Sequence, residues 1–269
     1  MIQVQRIQTI LSYLTENSIL TIEKAIELTH ASPATTRRDF EEMANDRLVR
    51  RVRGGVALLK PGPSEMVPIK LREIQFPSEK RALAVQAAAL LRPGDAAIVD
   101  GGTTTLMLAG GIPEIPLRII TNSVRLVSEL EARQPDHPQL EIYVTGGILH
   151  PHSGLLLGPR TEASISEYHA RWAFLSVSGI TERGSFNTNE LVIGTERAMI
   201  KSAEKVVILA DHSKIGRPAL CAGARLDEID ILITDYWEEN EPVLKIIEQA
   251  GVEVIRVLKD DSDRIAPPQ

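Results

Sequence analysis

Asp100-Gly101-Gly102-Thr103-Thr104-Thr105 is the segment whose residue types point most directly to a bound ligand. An acid ends a short apolar run, two glycines permit an unusual turn, and three hydroxyls lead into a helix. Such a turn aims backbone N–H groups and a helix N-terminus at one spot, which suits a phosphate. It is neither a Walker A loop nor a GxGxxG fingerprint, and a plain capped turn uses the same residues. Thr121-Asn122-Ser123 and Thr145-Gly146-Gly147 each read equally as a turn with a helix cap; their weight comes from following neighbouring strands. Gly184 to Glu190 is a polar loop that serves either as cover over a ligand or as a capping segment.

Asp211-His212-Ser213 offers an acid, an imidazole and a hydroxyl, but consecutive residues point to different sides and cannot close into a triad. Lys214 is the better candidate there, as a phosphate or sugar contact. His150 and His152 have no acid at ligand spacing, so no metal is expected. The single Cys221 excludes an intrachain disulfide and reads as a small buried apolar residue. No cofactor is implied.

Residues 32–59 carry a second chemistry. Ser32 caps a helix and Pro33 suits its first turn. Thr36, Phe40, Met43 and Ala44 recur at helical spacing as an inward face. Ala34, Thr35, Arg38, Glu41 and Glu42 fall outward, with Arg37 on the flank. Small and hydroxylated residues at a helix start, with arginines one turn on, suit a DNA major groove. Arg50, Arg51 and Arg53 then lie on a hairpin that turns at Gly54-Gly55, where they reach backbone or minor groove. An ordinary solvated helix and hairpin, with Glu41, Glu42 and Asp46 pairing the arginines, is the competing reading.

These residues need elements to hold them. Arg6, Ile7, Ile10, Leu11 and Leu14 make a first helix, which Asn17 and Ser18 end. Thr21 caps a second, with Ala25, Ile26 and Leu28 inward. Two helices, a turn at 29–31, the capped third helix and the hairpin make a winged helix-turn-helix. Residues 60–76 contain three prolines and little periodicity, as a linker does. From Pro77 the rhythm is alternating: strands near 96–100, 117–121, 140–145, 172–178, 206–210, 231–233 and 253–258, with helices at 81–91, 124–130, 196–202 and 243–250. That pattern is an α/β domain over 77–262 with a mostly parallel sheet covered on both faces. Its ligand belongs outside the carboxyl ends of the strands. Those ends carry Asp100, Thr121, Asn122, Gly146, Gly147 and Gly179, with Ser178 and Asp211 beside them.

The composition permits this division. The 269 residues carry a net charge of −6, unlike a chain that is a nucleic-acid binder throughout. Residues 1–60 hold nine Lys/Arg against seven Asp/Glu, and Arg37 to Arg53 hold six arginines against four acids. No apolar leader and no run of about 18 apolar residues is present, so no membrane partner is expected and the cytoplasm is the expected location.

The chain closely resembles the DeoR family of bacterial repressors over nearly its whole length. The helix-turn-helix signature is carried by Arg6, Ile10, Leu14, Ser32, Thr35, Arg37, Arg38, Asp39 and Phe40, and the wing by Arg51, Gly54 and Gly55. Thr36 stands where the family usually has an aliphatic residue. In the second half the matching segments are Glu79-Lys80-Arg81, Asp100-x-Gly102-Thr103-Thr104, Thr121-Asn122-Ser123, Thr145-Gly146-Gly147, Phe174 to Gly179, and Ala210-Asp211-x-Ser213-Lys214-x-Gly216. Gly101 replaces the usual serine of D-S-G-T-T.

The resemblance implies a sensor domain similar in fold to ribose-5-phosphate isomerase and the CoA transferases. It further implies an effector of the sugar-phosphate type at the sheet's carboxyl edge. Lys80, the loop of Gly102, Thr103, Thr104 and Thr105, and Lys214 would contact phosphate or hydroxyls. Asp100 and Asn122 would read sugar hydroxyls, with Gly101, Thr121, Gly146, Gly147, Gly179 and Asn187 completing the expected contacts.

The expectation is therefore a non-enzymatic repressor of a carbohydrate-utilisation operon, released or modulated by a phosphorylated sugar or sugar acid. Ser32, Ala34, Thr35, Arg37, Arg38, Arg50, Arg51 and Arg53 would meet operator DNA. One winged helix contacts too few phosphates for tight binding, so a homodimer or homotetramer on paired half-sites is expected. The alternatives are a sugar-phosphate isomerase-like enzyme with a helical appendage, for which Asp100 and Asp211 are available bases, and an effector-dependent activator.

Overall fold

The computed structural model describes residues 2–46, 48–59, 68–150 and 153–258. They fall into two compact units, Met1–Pro77 and Ser78–Gln269.

In the first unit the elements run α1 (Gln3–Glu16), β1 (Ile19–Thr21), α2 (Ile22–Thr29), α3 (Pro33–Asn45), β2 (Val49–Val52), β3 (Gly55–Leu58) and α4 (Ile69–Ile74). Capping sets the helix starts. Thr21 Oγ1 accepts the Lys24 amide at 3.2 Å, and Ser32 Oγ accepts the Thr35 amide at 3.2 Å. His30, at φ 53, ends α2 in the left-handed region. Ile7, Ile10, Leu11 and Leu14 of α1 pack against Ala25, Phe40, Met43, Val49 and Val56. Each large side chain so buried contributes about 1.5–3 kcal/mol. Ile26, Leu28 and Ala44, expected inward, are only half-buried.

Two features were not anticipated. β1 pairs with β3 and gives the wing a third strand, in the order β1-β3-β2. Gly55 is required there, because a Cβ would overlap the Leu20 carbonyl oxygen. Within the stretch expected to be a linker, α4 buries Leu71 in the first unit's core, so apolar burial continues to residue 74. Residues 60–67 lie outside the described residues.

The second unit begins with α5 (Pro77–Ala88) and β4 (Ala96–Val99), then β5 (Leu117–Thr121), α6 (Val124–Glu131) and β6 (Leu140–Val144). A hairpin, β7 (Ile148–Leu149) with β8 (Leu156–Leu157), precedes α7 (Pro159–Ser166) and β9 (Ala170–Ser176). Next come β10 (Gly179–Thr181), β11 (Gly184–Asn187), α8 (Glu190–Lys201), β12 (Ala203–Leu209) and β13 (Cys221–Ala222). β14 (Ile231–Asp235), α9 (Glu241–Gln249) and β15 (Glu253–Val257) complete it. Seven strands form one sheet in the order β15-β14-β12-β9-β4-β5-β6, and every pairing in it is parallel.

Alternation within the apolar runs explains this sheet. On β9, Trp172 and Phe174 join one core layer while Ala173 and Leu175 join the other; on β12, Val207 and Leu209 oppose Val206 and Ile208. Strands buried on both faces need continuous hydrophobic runs, and both have them. Among the described residues no helix is long and apolar enough to cross a membrane.

Candidate functional site

On the first unit, α3 is held from beneath. Asp39 is 2% exposed and takes the Arg6 guanidinium through Nε–Oδ2 at 2.7 Å and Nη2–Oδ1 at 2.9 Å. Thr36, Asp39, Phe40 and Met43 form the buried side. Thr36 Oγ1 donates to the Ser32 carbonyl at 3.1 Å, so the hydroxyl at this usually aliphatic position is satisfied internally. Ser32, Ala34, Arg37 and Arg38 are exposed on the other side, and Thr35 is half-buried, its hydroxyl 2.9 Å from Ser32 Oγ. Arg50, Arg51 and Arg53 are exposed on the wing. All eight residues expected at DNA therefore lie on one helix and its neighbouring hairpin. Lys70 pairs with Asp46 at 2.7 Å, which leaves one acid fewer uncompensated near the arginines.

On the second unit, the carboxyl ends of the strands are crowded with buried polar groups. Asp100 is 4% exposed, and its Oδ2 accepts Ser176 Oγ at 2.7 Å and the amides of Ser176 and Gly102 at 3.3 Å each. Burial pushes this carboxyl above its usual range, while the Ser176 hydroxyl and the surrounding amides oppose the rise. The glycines after it answer to packing. A Cβ on Gly102 would overlap Ser176 Oγ, and one on Gly101 would overlap Leu155 Cδ2 and sit 2.6 Å from Ser123 Cβ. The absent serine side chain at position 101 is thus replaced by a methyl of Leu155, the residue before β8.

The loop's continuation differs from expectation. Thr105–Gly110 is a six-residue 3-10 helix, so no long helix dipole stands behind the threonines. Thr105 Oγ1 donates to the Gly102 carbonyl at 3.1 Å, and Thr103 and Thr104 are each 5% exposed. Thr121 is wholly buried and its hydroxyl bridges strands, donating to the Val99 carbonyl at 2.7 Å.

The expected contacts divide along the sheet. Asn122 follows β5 and Gly146 and Gly147 follow β6, while Lys214 follows β12. From β6 to β12 there are four inter-strand steps, about 19 Å. One monosaccharide phosphate does not span that distance at the level of the strand ends. Gly147, at φ 138, is needed because a Cβ would overlap Thr161 Oγ1, which donates to the Gly146 carbonyl at 2.7 Å. Gly179 allows close approach of the Arg217 carbonyl. Lys80 is 2% exposed on α5, and Lys214 is half-buried in the short turn 212–214.

Sequence reasoning missed Glu196. It is 2% exposed on α8, and Asn187 Nδ2 donates to its Oε1 at 2.8 Å while Asn187 Oδ1 accepts Ser178 Oγ at 2.9 Å. Burial drives the Glu196 carboxyl well above the usual carboxylate range, nearby Asp100 adds to the rise, and Asn187 opposes it. Beside Arg197 in a helix it reads as a solvent-facing charge, and no local signal marks it. Asp211-His212-Ser213 forms no triad. Asp211 Oδ1 accepts the Ser213 amide and hydroxyl, whereas His212 turns to Asp235 Oδ2 at 2.6 Å and stacks on Trp237 at 4.5 Å.

Comparison with known proteins agrees with this two-part arrangement. Residues 6–61 match the DeoR-like helix-turn-helix domain, and residues 75–236 match the DeoR C terminal sensor domain. The HTH-type transcriptional regulators UlaR of Shigella flexneri and of Escherichia coli K12 are 31% identical over 257 residues, covering 96% of this chain and 100% of each relative. A solved ribose 5-phosphate isomerase A from Methanocaldococcus jannaschii overlays loosely, with TM-score 0.37 and 15% identity across 51% of this chain and 54% of that one.

Proposed function

The chain belongs to the DeoR family of transcriptional regulators, and from that premise we propose that it represses a carbohydrate-utilisation operon in the cytoplasm under control of a phosphorylated sugar or sugar acid. The observation that carries the DNA half is the α3 surface, where Arg37 and Arg38 are exposed while Asp39 between them and the core is locked to Arg6. A helix fixed on its inner side presents its outer side rigidly, which suits reading a groove. Arg50, Arg51 and Arg53 then meet backbone or minor groove. A homodimer or homotetramer brings two such helices to paired half-sites and offsets the modest charge of one copy.

The effector half rests on the carboxyl edge of the sheet. Buried Asp100, Asn122 and Lys80, with the threonine loop between them in sequence, offer acceptors for sugar hydroxyls and a cation for an anionic group. Because the expected contacts spread over five strands, the set that follows the neighbouring strands β4 and β5, namely Asp100, the Gly102–Thr105 loop and Asn122, is the stronger one. A ligand preferring the arrangement that does not bind DNA would shift the population away from the operator. The regulator reading is favoured over the isomerase reading because relatives aligned along almost the whole chain are named transcriptional regulators. Titrating phosphorylated sugars and sugar acids into the operator-bound protein, followed by fluorescence anisotropy, tests the proposal. Release by one of them is expected, strengthened binding would indicate an activator or co-repressor scheme, and no response from any would contradict effector control.

A further inference from the structure

Asn122 is committed on one side only. Its Nδ2 donates to the Leu156 carbonyl at 3.0 Å, and its own carbonyl accepts the Leu156 amide at 2.8 Å. The Val124 amide reaches the Gly154 carbonyl at 2.9 Å, and Ser123 bridges Leu155 in antiparallel fashion. The β7–β8 hairpin is thereby stitched over the end of β5, with Leu155 filling the space above Gly101. Asn122 is 1% exposed, yet its Oδ1 has no hydrogen-bond partner among the described residues. Thr145 follows the adjacent strand β6, its amide bonded to the Thr121 carbonyl at 3.1 Å; it is 2% exposed, and its Oγ1 is likewise unpartnered among them.

A buried acceptor without a donor is costly, so two such atoms at the ends of adjacent strands favour any ligand group that satisfies them. An amide oxygen only accepts, whereas a threonine hydroxyl also donates. A ligand hydroxyl, which donates once and accepts twice, serves both.

We propose that Asn122 Oδ1 and Thr145 Oγ1 form a hydroxyl-reading subsite at the ends of the neighbouring strands β5 and β6, and that a polyhydroxylated ligand bound there tightens the hold of Asn122 on Leu156. This rests on the carboxyl edge being the effector site. It adds Thr145 to that site and gives Asn122 two jobs, one toward the ligand and one toward the hairpin. A bond received at Oδ1 polarises the amide and strengthens the one that Nδ2 makes to the hairpin.

The test uses the full chain with glucose 6-phosphate, ribose 5-phosphate and 6-phosphogluconate as probes and inorganic phosphate as the control. Thr145→Val removes the hydroxyl at nearly constant shape, and Thr145→Ser retains it. The proposal expects Thr145→Val to weaken the best sugar-phosphate probe about tenfold, Thr145→Ser to stay near the parent, and phosphate affinity to be unchanged in both. It also expects that probe to slow hydrogen exchange at the Leu156 and Val124 amides. Parent-like sugar-phosphate binding by Thr145→Val overturns the subsite and leaves the effector reading standing. Failure of the parent protein to bind any of the three sugars removes the effector reading and the subsite with it.

Discussion

The Arg6 guanidinium and the Asp39 carboxylate, 33 residues apart, meet as a two-point fork that ties the first helix of the DNA-binding unit to the inner side of the third. The fork fixes both the angle and the rotation of the helix that presents Arg37 and Arg38, because a guanidinium and a carboxylate engage at two points only when coplanar. Arg6→Lys keeps the charge but loses the fork. The midpoint of the first unit should fall by about 5 °C, with operator affinity falling further than the stability loss alone explains. An affinity loss that tracks only the unfolded fraction would deny the fork an orienting role.

Arg38→Ala and Arg37→Ala separate contact types. Each should weaken operator binding, and a residue bound to a phosphate should also flatten the salt dependence by about one unit of slope. A residue that reads a base edge should instead relax sequence preference, at a cost of about 1–3 kcal/mol. Unchanged affinity at moderate salt for both variants would place the DNA surface elsewhere.

Much of this surface is legible along the chain because its signals are local. The Ser32 cap, Pro33, the inward spacing of Phe40 and Met43 and the glycine turn at 54–55 all act within a few residues. The Arg6–Asp39 bond is not local; each residue looks like an ordinary surface charge until the fold brings them together. β1 is three residues long, below what periodicity can register, and α4 hides among prolines. In the second unit the strands are readable as apolar runs, and the polar residues at their ends are readable as well. What hides is the use of each polar group. Thr121 spends its hydroxyl between strands, Glu196 turns a helical charge inward, and Leu155 fills the place above Gly101.

That last substitution has a testable partner. Gly101→Ser sets a Cβ into Leu155 Cδ2 and should destabilise the sensor unit by about 1–3 kcal/mol. Leu155→Ala alone leaves a cavity and costs about 2–5 kcal/mol. The two together should cost clearly less than the sum, as contacting residues do. Strict additivity in denaturant melts would show that the serine finds room without displacing the leucine.

Glu196 and Asp100 should make the stability of the sensor unit depend on pH. Both carboxyls lie above their unfolded values, mainly through burial. Groups raised in this way contribute stability that is fully present below their unfolded values, about 4.3 for glutamate and 3.9 for aspartate. That stability is lost as pH climbs through the folded values. Glu196→Gln keeps an acceptor for Asn187 and removes the charge. Its thermal midpoint should exceed the parent's at pH 8 and decline less between pH 5 and 8. Parallel profiles for the two proteins would mean that Glu196 is not the group responsible.

Selection from a pool of random duplexes on the immobilised full-length protein, at about 150 mM salt, tests the central claim most directly. The claim that α3 and the wing read an operator predicts enrichment of a repeated half-site, bound tightly by the parent and weakly by Arg37→Ala and Arg38→Ala. A pool that stays unenriched, or that enriches equally on both variants, would contradict it.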